Sequence, residues 1–201
     1  MKALLLIDLQ NDFLPGGSLA VPGGDQILPV VNQLQEQFDL VVATQDWHPP
    51  THKSFASNHP GKAVFDTIDL NGLPQVLWPD HCVQGTTGAA FSTAVDWRKT
   101  EAIFRKGTDP AIDSYSGFYD NGHRKATGLE AYLKGRGVTA VYLAGLAADY
   151  CVYFTGNDAL DSGFSVYLVE NATRAISADG FEKAKAGLLQ KGGRVVLSNE
   201  L

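Results

Sequence analysis

The chain has 201 residues, of which 44% are hydrophobic and 19% charged, a balance typical of one globular domain and unlike that of a disordered chain. Its formal net charge of -6, with no run of Lys or Arg, argues against nucleic acid as a partner. The apolar stretch between Lys2 and Asp8 is only five residues long, too short for a signal peptide or a membrane span. We therefore expect a cytoplasmic protein with no membrane partner, in which Cys82 and Cys151 are reduced thiols.

Short apolar runs rich in β-formers alternate with segments of helical spacing along the chain. In chain order we predict a strand at 3–8, a helix at 26–38, a strand at 39–44, a strand at 101–106, a helix at 127–136, a strand at 139–145, a helix at 149–162, a strand at 164–170, a helix at 178–191 and a strand at 193–198. The strands read as buried on both faces, the pattern of a parallel sheet. This order predicts an α/β fold: a three-layer αβα sandwich around a mostly parallel six-stranded sheet.

Two long stretches interrupt this alternation, at 11–24 and 45–100. Inserts of that length in a compact domain are uncommon and, when ordered, are usually functional. The composition does not shift along the chain, so we predict a single domain over residues 1–201 with both stretches as loops near an active site.

Reactive side chains follow four of the predicted strands. Asp8 closes the first strand, Asp46 and His48 follow the second, Lys106 closes the third, and Cys151 opens the helix after the fourth. The carboxyl ends of parallel strands meet at one edge of a sheet, where ligands bind. These side chains are therefore expected to converge.

Asp8, Lys106 and Cys151 each have an ordinary structural explanation as well as a catalytic one. Singly, a strand-end carboxylate caps a loop, a lysine is usually solvated, and a lone cysteine is usually a small buried hydrophobe. Together they fit nucleophilic catalysis, because a partly desolvated Asp8 is a better base and a cation such as Lys106 lowers the pKa of a cysteine. The positive end of the helix that begins near 149 should act in the same direction.

A metal site is the second candidate function of the loop residues. In an extended segment Asp46 and His48 point the same way and can bind one ion, while Pro49 and Pro50 rule out a helical pair of histidine ligands. His81 offers a third ligand from the segment WPDHCVQGT. Such a set suits Zn, Fe or Mn with open positions for water or substrate, although scattered surface histidines are the simpler alternative.

Cys82 follows His81 directly and is a rival for the nucleophile or for a metal ligand. Neighbouring side chains of an extended chain point in opposite directions. If His81 faces the ion, Cys82 faces away from it, and we interpret Cys82 as structural.

Five long motifs in this order resemble the nicotinamidases of the isochorismatase-like (cysteine hydrolase) superfamily, and the resemblance runs from residue 2 to the C-terminus. They are LLLIDLQNDFLPGGSLAVPGG, VVATQDWHPPTHKSF, LWPDHCVQGTTGAAF, FRKGTDPAIDSYSGF and LAGLAADYCVYFTGNDAL. The resemblance implies an amidohydrolase that converts nicotinamide to nicotinate and ammonia, and also acts on pyrazinamide, in NAD salvage.

The resemblance also implies a role for each matching residue. It places the catalytic triad on Asp8, Lys106 and Cys151, and the ligands of one divalent ion, zinc first with iron or manganese as alternatives, on Asp46, His48 and His81, with His52 as an optional fourth ligand. The pyridine ring would lie between Phe13 and Trp78 with Tyr115 nearby, and the backbone N–H groups of Ala147 and Cys151, after a cis peptide, would form the oxyanion hole.

Two other functions stay open. A related cysteine hydrolase for another small amide or carbamoyl compound would share Asp8, Lys106 and Cys151 but would need neither the metal set nor the aromatic clamp. A metal-binding or thiol redox-sensing protein without turnover would leave Asp8 and Lys106 without a role. The metal identity and a homo-oligomeric state are not fixed by the sequence.

Overall fold

The central element of the computed structural model, which describes residues 1–201, is a sheet of six strands. The eight strands of the chain are β1 (Lys2–Ile7), β2 (Leu40–Asp46), β3 (Thr67–Leu70), β4 (Leu73–Val76), β5 (Thr100–Lys106), β6 (Ala140–Gly145), β7 (Ser165–Thr173) and β8 (Arg194–Val196). The large sheet has the order β5-β2-β1-β6-β7-β8, and every neighbouring pair in it is parallel. The predicted six-stranded parallel sheet is confirmed.

Helices cover both faces of this sheet, in three layers as predicted. They are α1 (Leu28–Gln35), α2 (Leu129–Gly135), α3 (Tyr153–Asp161) and α4 (Ala178–Gln190). The period of two along β1 divides its apolar side chains between the faces. Leu4 and Leu6 belong to the core cluster that contains α1, whereas Leu5 and Ile7 belong to the cluster that contains residues of α2, α3 and α4.

Burial along the strands follows the strand order. Residues Ala3 to Ile7 of β1 are all buried because β1 lies in the middle of the sheet. The prediction that every strand is buried on both faces is wrong for β5, where Glu101, Ile103 and Arg105 are exposed. The strand β5 lies at the edge of the sheet, and the face that carries these three alternate side chains meets solvent.

The long stretch 45–100 contains one element that was not predicted, the antiparallel hairpin of β3 and β4. Asn71 and Gly72 connect its strands and both have positive φ, 56° and 83°, as an Asn-Gly hairpin turn requires. The rest of the stretch is irregular apart from single 3₁₀ turns at Ala56–Asn58 and Trp97–Lys99. No helix of the protein is long and apolar enough to cross a membrane.

Candidate active site

The carboxyl ends of four strands carry the predicted catalytic and metal-binding side chains. Asp8 follows β1 in a left-handed conformation with φ of 49°, and Asp46 and Lys106 are the last residues of β2 and β5. Cys151 lies in the turn after β6. The predicted convergence is therefore found in the structure.

Lys106 joins these groups. Its Nζ lies 2.9 Å from Asp8 Oδ2, 2.5 Å from Asp46 Oδ1 and 3.4 Å from Cys151 Sγ, and it donates to the Ser114 carbonyl at 3.0 Å. Burial alone would lower the pKa of Lys106, but the Asp46 and Asp8 carboxylates hold that pKa well above its ordinary value. Lys106 is therefore a permanent cation between two carboxylates and the thiol.

Asp8 is placed to take a proton from Cys151. One of its carboxylate oxygens lies within 4.8 Å of Cys151 Sγ, and Oδ1 accepts a hydrogen bond of 2.7 Å from the Thr44 hydroxyl. Burial raises the pKa of Asp8, against the opposing effect of Lys106. The raised pKa makes this carboxylate a stronger base than an exposed aspartate.

Burial and the Lys106 ammonium act on the pKa of the Cys151 thiol in opposite directions. Burial raises the pKa of Cys151 well above its ordinary value, Lys106 lowers it, and Asp8 and Asp46 raise it further. Lys106 therefore acts on the pKa of Cys151 in the predicted direction, while burial and the two carboxylates act in the opposite direction.

Hydrogen bonds to the Ala147 carbonyl fix the turn that carries Cys151. The peptide bond between Leu146 and Ala147 is cis, as the resemblance implied, and a π-helical turn follows at Ala148–Val152. The Ala147 carbonyl accepts hydrogen bonds of 3.1 Å from two amides of that turn, those of residues 150 and 152. Ala147 and Cys151, the predicted oxyanion-hole residues, both line the pocket described below.

Asp46, His48 and His81 form a buried group whose ligand atoms lie within 4.8 Å of one another. The Nε2 atoms of His48 and His81 are 3.5 and 3.7 Å from Asp46 Oδ2. The Nδ1 atom of each ring lies beside a backbone carbonyl, Gly107 O at 3.0 Å and Pro79 O at 2.8 Å. A proton on Nδ1 leaves the Nε2 lone pair free, which is how metal-binding histidines are commonly oriented.

The electrostatics of this group suit a cation. Burial alone would raise the pKa of Asp46, but Lys106 and His48 hold it well below its ordinary value. Asp46 is thus an ionised, buried carboxylate beside two imidazoles, a donor set that suits Zn²⁺ and related divalent metals. Gly107 is required here: it has φ of +65°, and a Cβ at this position would lie 2.3 Å from His48 Cε1.

His52 is fully buried next to this group, with its ring centroid 4.4 Å from that of His48. Its Nδ1 accepts a hydrogen bond of 3.1 Å from the backbone N–H of Ser54. Burial lowers the pKa of His52 to about 4, so the ring is neutral. Its ligand atom belongs to a second buried group, which it forms with His48 and Asp113.

A largely apolar pocket opens above Cys151 and the group of Asp46, His48 and His81. The predicted ring-binding residues are all part of its wall, and the Trp78 indole N–H donates to the Tyr115 hydroxyl at 3.2 Å. The lining residues are Phe13, Leu19, Asp46, His48, Trp78, His81, Asp113, Tyr115, Ala147, Tyr150, Cys151 and Ile176.

Sequence reasoning missed four of these lining residues: Leu19, Asp113, Tyr150 and Ile176. Tyr150 precedes the cysteine directly and packs edge-on against Trp78 at a centroid distance of 4.8 Å. Asp113 lies within the motif FRKGTDPAIDSYSGF, but a carboxylate in a loop gives no signal of its burial. Cys82 is buried in the core cluster on the α1 side of the sheet, which agrees with a structural role.

Comparison with known proteins places this geometry in a family. The isochorismatase domain profile matches residues 2–200. A nicotinamidase of Acinetobacter baylyi is 52% identical over 178 residues, which are 89% of this chain and 83% of that protein.

Solved structures agree with that match. The structure of a nicotinamidase/pyrazinamidase from Acinetobacter baumanii has a TM-score of 0.96 and 46% identity, covering 99% of this chain and 97% of its own. A pyrazinamidase of Pyrococcus horikoshii in complex with zinc has a TM-score of 0.81 and 39% identity, with 98% of each chain covered. The chain belongs to the isochorismatase family.

Proposed function

We propose that this protein hydrolyses nicotinamide to nicotinate and ammonia through a thioester on Cys151, and that it accepts pyrazinamide as well. The observation that carries the proposal is the contact of Lys106 Nζ with Asp8, Asp46 and Cys151, because Asp46 and Cys151 also line one aromatic-walled pocket. The similarity to nicotinamidases over most of the chain supports the choice of substrate.

The first half of the reaction acylates Cys151. Asp8 accepts the proton of the thiol as the sulfur attacks the carboxamide carbon, which converts the carbonyl oxygen into an oxyanion. Lys106 stabilises the negative charge that passes between Asp8 and the sulfur during this step. The backbone N–H groups of Ala147 and Cys151 are the proposed oxyanion donors, each of which is typically worth about 10²–10³ in rate.

Collapse of this adduct breaks the carbon–nitrogen bond. The proton held by Asp8 passes to the departing amide nitrogen, ammonia leaves, and a thioester remains. Asp8, again a carboxylate, then takes a proton from a water molecule that attacks the thioester. The second adduct expels the sulfur of Cys151, which recovers its proton from Asp8, and nicotinic acid leaves as nicotinate.

The proposed cofactor is one divalent ion, zinc first, with iron or manganese as alternatives, held by Asp46, His48 and His81. When bound, such an ion would supply a Lewis-acid site to which the pyridine nitrogen can bind as a ligand, and so would orient the ring. The aromatic residues Phe13, Trp78 and Tyr115 would hold the two faces and the edge of that ring. The zinc complex of the Pyrococcus horikoshii pyrazinamidase supports the identity of the metal.

The cellular setting is part of the proposal. We place the reaction in NAD salvage, because nicotinate is a precursor for pyridine nucleotides, and in the cytoplasm. Assembly into a homo-oligomer and the residue roles given above are also parts of this proposal.

Release of ammonia from nicotinamide tests the proposal, with the Cys151→Ala variant as the matched control. The wild-type protein should release ammonia and the variant should lose about 10⁴-fold or more of that activity. The proposed substrate would be wrong if the metal-loaded wild type were inactive on nicotinamide but active on another small amide or carbamoyl compound. A metal-loaded protein without turnover on any of these compounds would favour a binding or sensing role.

Metal removal tests the role of the ion separately. Treatment with a chelator should raise KM for nicotinamide, and His48→Ala should do the same while depleting the metal content. A His48→Ala protein that keeps wild-type kinetics without metal would contradict the orienting role.

A further inference from the structure

Asp113 is a buried carboxylate for which the reaction above has no use. It is 3% exposed, lines the pocket, and accepts hydrogen bonds from the Ser114 N–H at 2.8 Å and from Gln75 Nε2 at 2.9 Å. No cationic side chain pairs with it, since its two hydrogen-bond donors are both neutral amides. A buried charge without a partner is costly unless something else compensates it.

The charges around Asp113 indicate what that partner is. Three buried carboxylates lie around this site: Asp8 and Asp46 contact the buried ammonium of Lys106, and Asp113 lies beside His48 and His52. Histidines are neutral when they bind a metal. The three carboxylates and the one ammonium therefore leave an excess of two negative charges. One divalent cation held by Asp46, His48 and His81 would balance that excess, to which Asp113 contributes a charge without being a ligand and without a cationic side chain of its own.

His52 presents a buried hydrogen-bond donor near this buried carboxylate. The Nδ1 atom of His52 lies 2.7 Å from the Ser54 hydroxyl and accepts from the Ser54 N–H at 3.1 Å, and the second contact places the proton of a neutral ring on Nε2. The Nε2 atom is buried and makes no hydrogen bond of good geometry within the protein, although the backbone of Ile112 is close enough to act on the pKa of the ring. A protonated nitrogen cannot bind a metal, so the bonds of His52 argue against its being a fourth ligand.

Asp113 and His52 face the same space. Their ligand-capable atoms lie within 4.8 Å of each other and of a ring nitrogen of His48. That separation suits a single water molecule that accepts from His52 Nε2–H and donates to the Asp113 carboxylate. The space between these two side chains therefore adjoins the metal-binding group through His48.

We propose that Asp113 and His52 form the outer shell of the metal centre: Asp113 is its counter-charge, and His52 is a hydrogen-bond donor and not a ligand. Both are positioning residues, since neither binds the ion directly. The inference rests on the metal assignment within the proposed function. Losing an outer-shell partner typically costs about 10–100-fold in metal affinity, much less than losing a ligand.

The test is direct measurement of zinc affinity on metal-free protein, by competition with a chromophoric chelator. Asp113→Asn should weaken zinc binding by about 10–100-fold, and His52→Ala should weaken it to a similar or smaller degree. His52→Gln keeps a side-chain donor and should restore most of the affinity lost in His52→Ala. His48→Ala, which removes a ligand, should abolish high-affinity binding.

Asp120→Asn is the matched control for loss of a buried carboxylate. Asp120 lies in the same loop as Asp113, is 7% exposed, and accepts from the N–H groups of Gly122 and Arg124, but it does not line the pocket. This variant should keep wild-type zinc affinity, whatever its effect on stability.

Four results would overturn parts of these assignments. Unchanged zinc affinity in Asp113→Asn, or an equal loss in Asp120→Asn, would show that Asp113 is only a structural residue. Loss of binding in His52→Ala as complete as in His48→Ala, without rescue by His52→Gln, would make His52 a ligand. A wild-type protein that does not bind zinc at all would instead refute the zinc assignment within the proposed function.

Discussion

The turn around Cys151 and the loop around Cys82 are two regions with the same reactive atom and different consequences. Both thiols are free and buried, with 6% and 0% exposure, and burial raises the pKa of both well above the ordinary value. Cys151 Sγ contacts Lys106 Nζ at 3.4 Å and lines the pocket, whereas Cys82 is packed among apolar side chains. Burial therefore does not distinguish the proposed nucleophile from a core residue.

Long-range charge does not distinguish them either. The same groups, Asp8, Asp46 and Lys106, act on the pKa of both cysteines and in the same directions. What differs is contact: Asp8 is close enough to take the proton of Cys151, and the pocket gives that sulfur access to a substrate. The backbone of Cys82 is instead fixed, with φ of 47° and its N–H donating to Asp12 Oδ2 at 2.7 Å.

The largest expected effect comes from removing the contact that only Cys151 has. Asp8→Asn removes the proton acceptor while keeping the shape of the side chain, and kcat for nicotinamide should fall by about 10²–10⁴-fold. Steady-state ammonia release measures the change, and zinc content checks that the metal site is intact. A variant that retains kcat within a few-fold would show that Asp8 is not the base, and the two cysteines would then differ in access alone.

Much of this contrast could be predicted from the sequence. Apolar runs indicated the strands, and because carboxyl ends of parallel strands share an edge, Asp8, Lys106 and Cys151 were expected to meet. The strand order could not be read from local pattern, so the exposed face of β5 was missed. The hairpin of β3 and β4 had a signal, the Asn71–Gly72 pair, that was overlooked within a long irregular stretch.

Other parts of the site depend on packing that no local pattern carries. Asp113 is buried through contacts with residues far along the chain, such as Gln75. The tautomer of His52 depends on the position of the Ser54 backbone N–H. The structural role of Cys82 was predicted from an extended chain, but its φ is positive. The conclusion agrees with the structure for a different reason: Cys82 packs into the core on the α1 side.

An effect of intermediate size is expected in chemical modification. A small alkylating reagent should react with Cys151 and inactivate the enzyme, because this sulfur lines the pocket and Asp8 can accept its proton, whereas Cys82 should stay unmodified in the folded protein. Mass spectrometry of the modified peptides, with and without nicotinate in the pocket, measures the selectivity. Lys106→Met should slow modification of Cys151 by about tenfold or more, because it removes the cation that favours the thiolate. Equal labelling of both cysteines before unfolding would contradict the assigned difference in access.

The smallest effect on activity is expected at Cys82, where the cost should fall on stability instead. Cys82→Ser places a hydroxyl among apolar side chains, which should lower the free energy of unfolding by about 1–3 kcal/mol, while kcat/KM stays within about twofold. Cys82→Ala, which adds no polar group, should destabilise less, and denaturant unfolding of both variants separates the polar cost from the lost packing. If a folded Cys82→Ser protein lost activity or zinc, Cys82 would belong to the site through its neighbour His81, because the backbone that holds Cys82 in the core also orients that ligand.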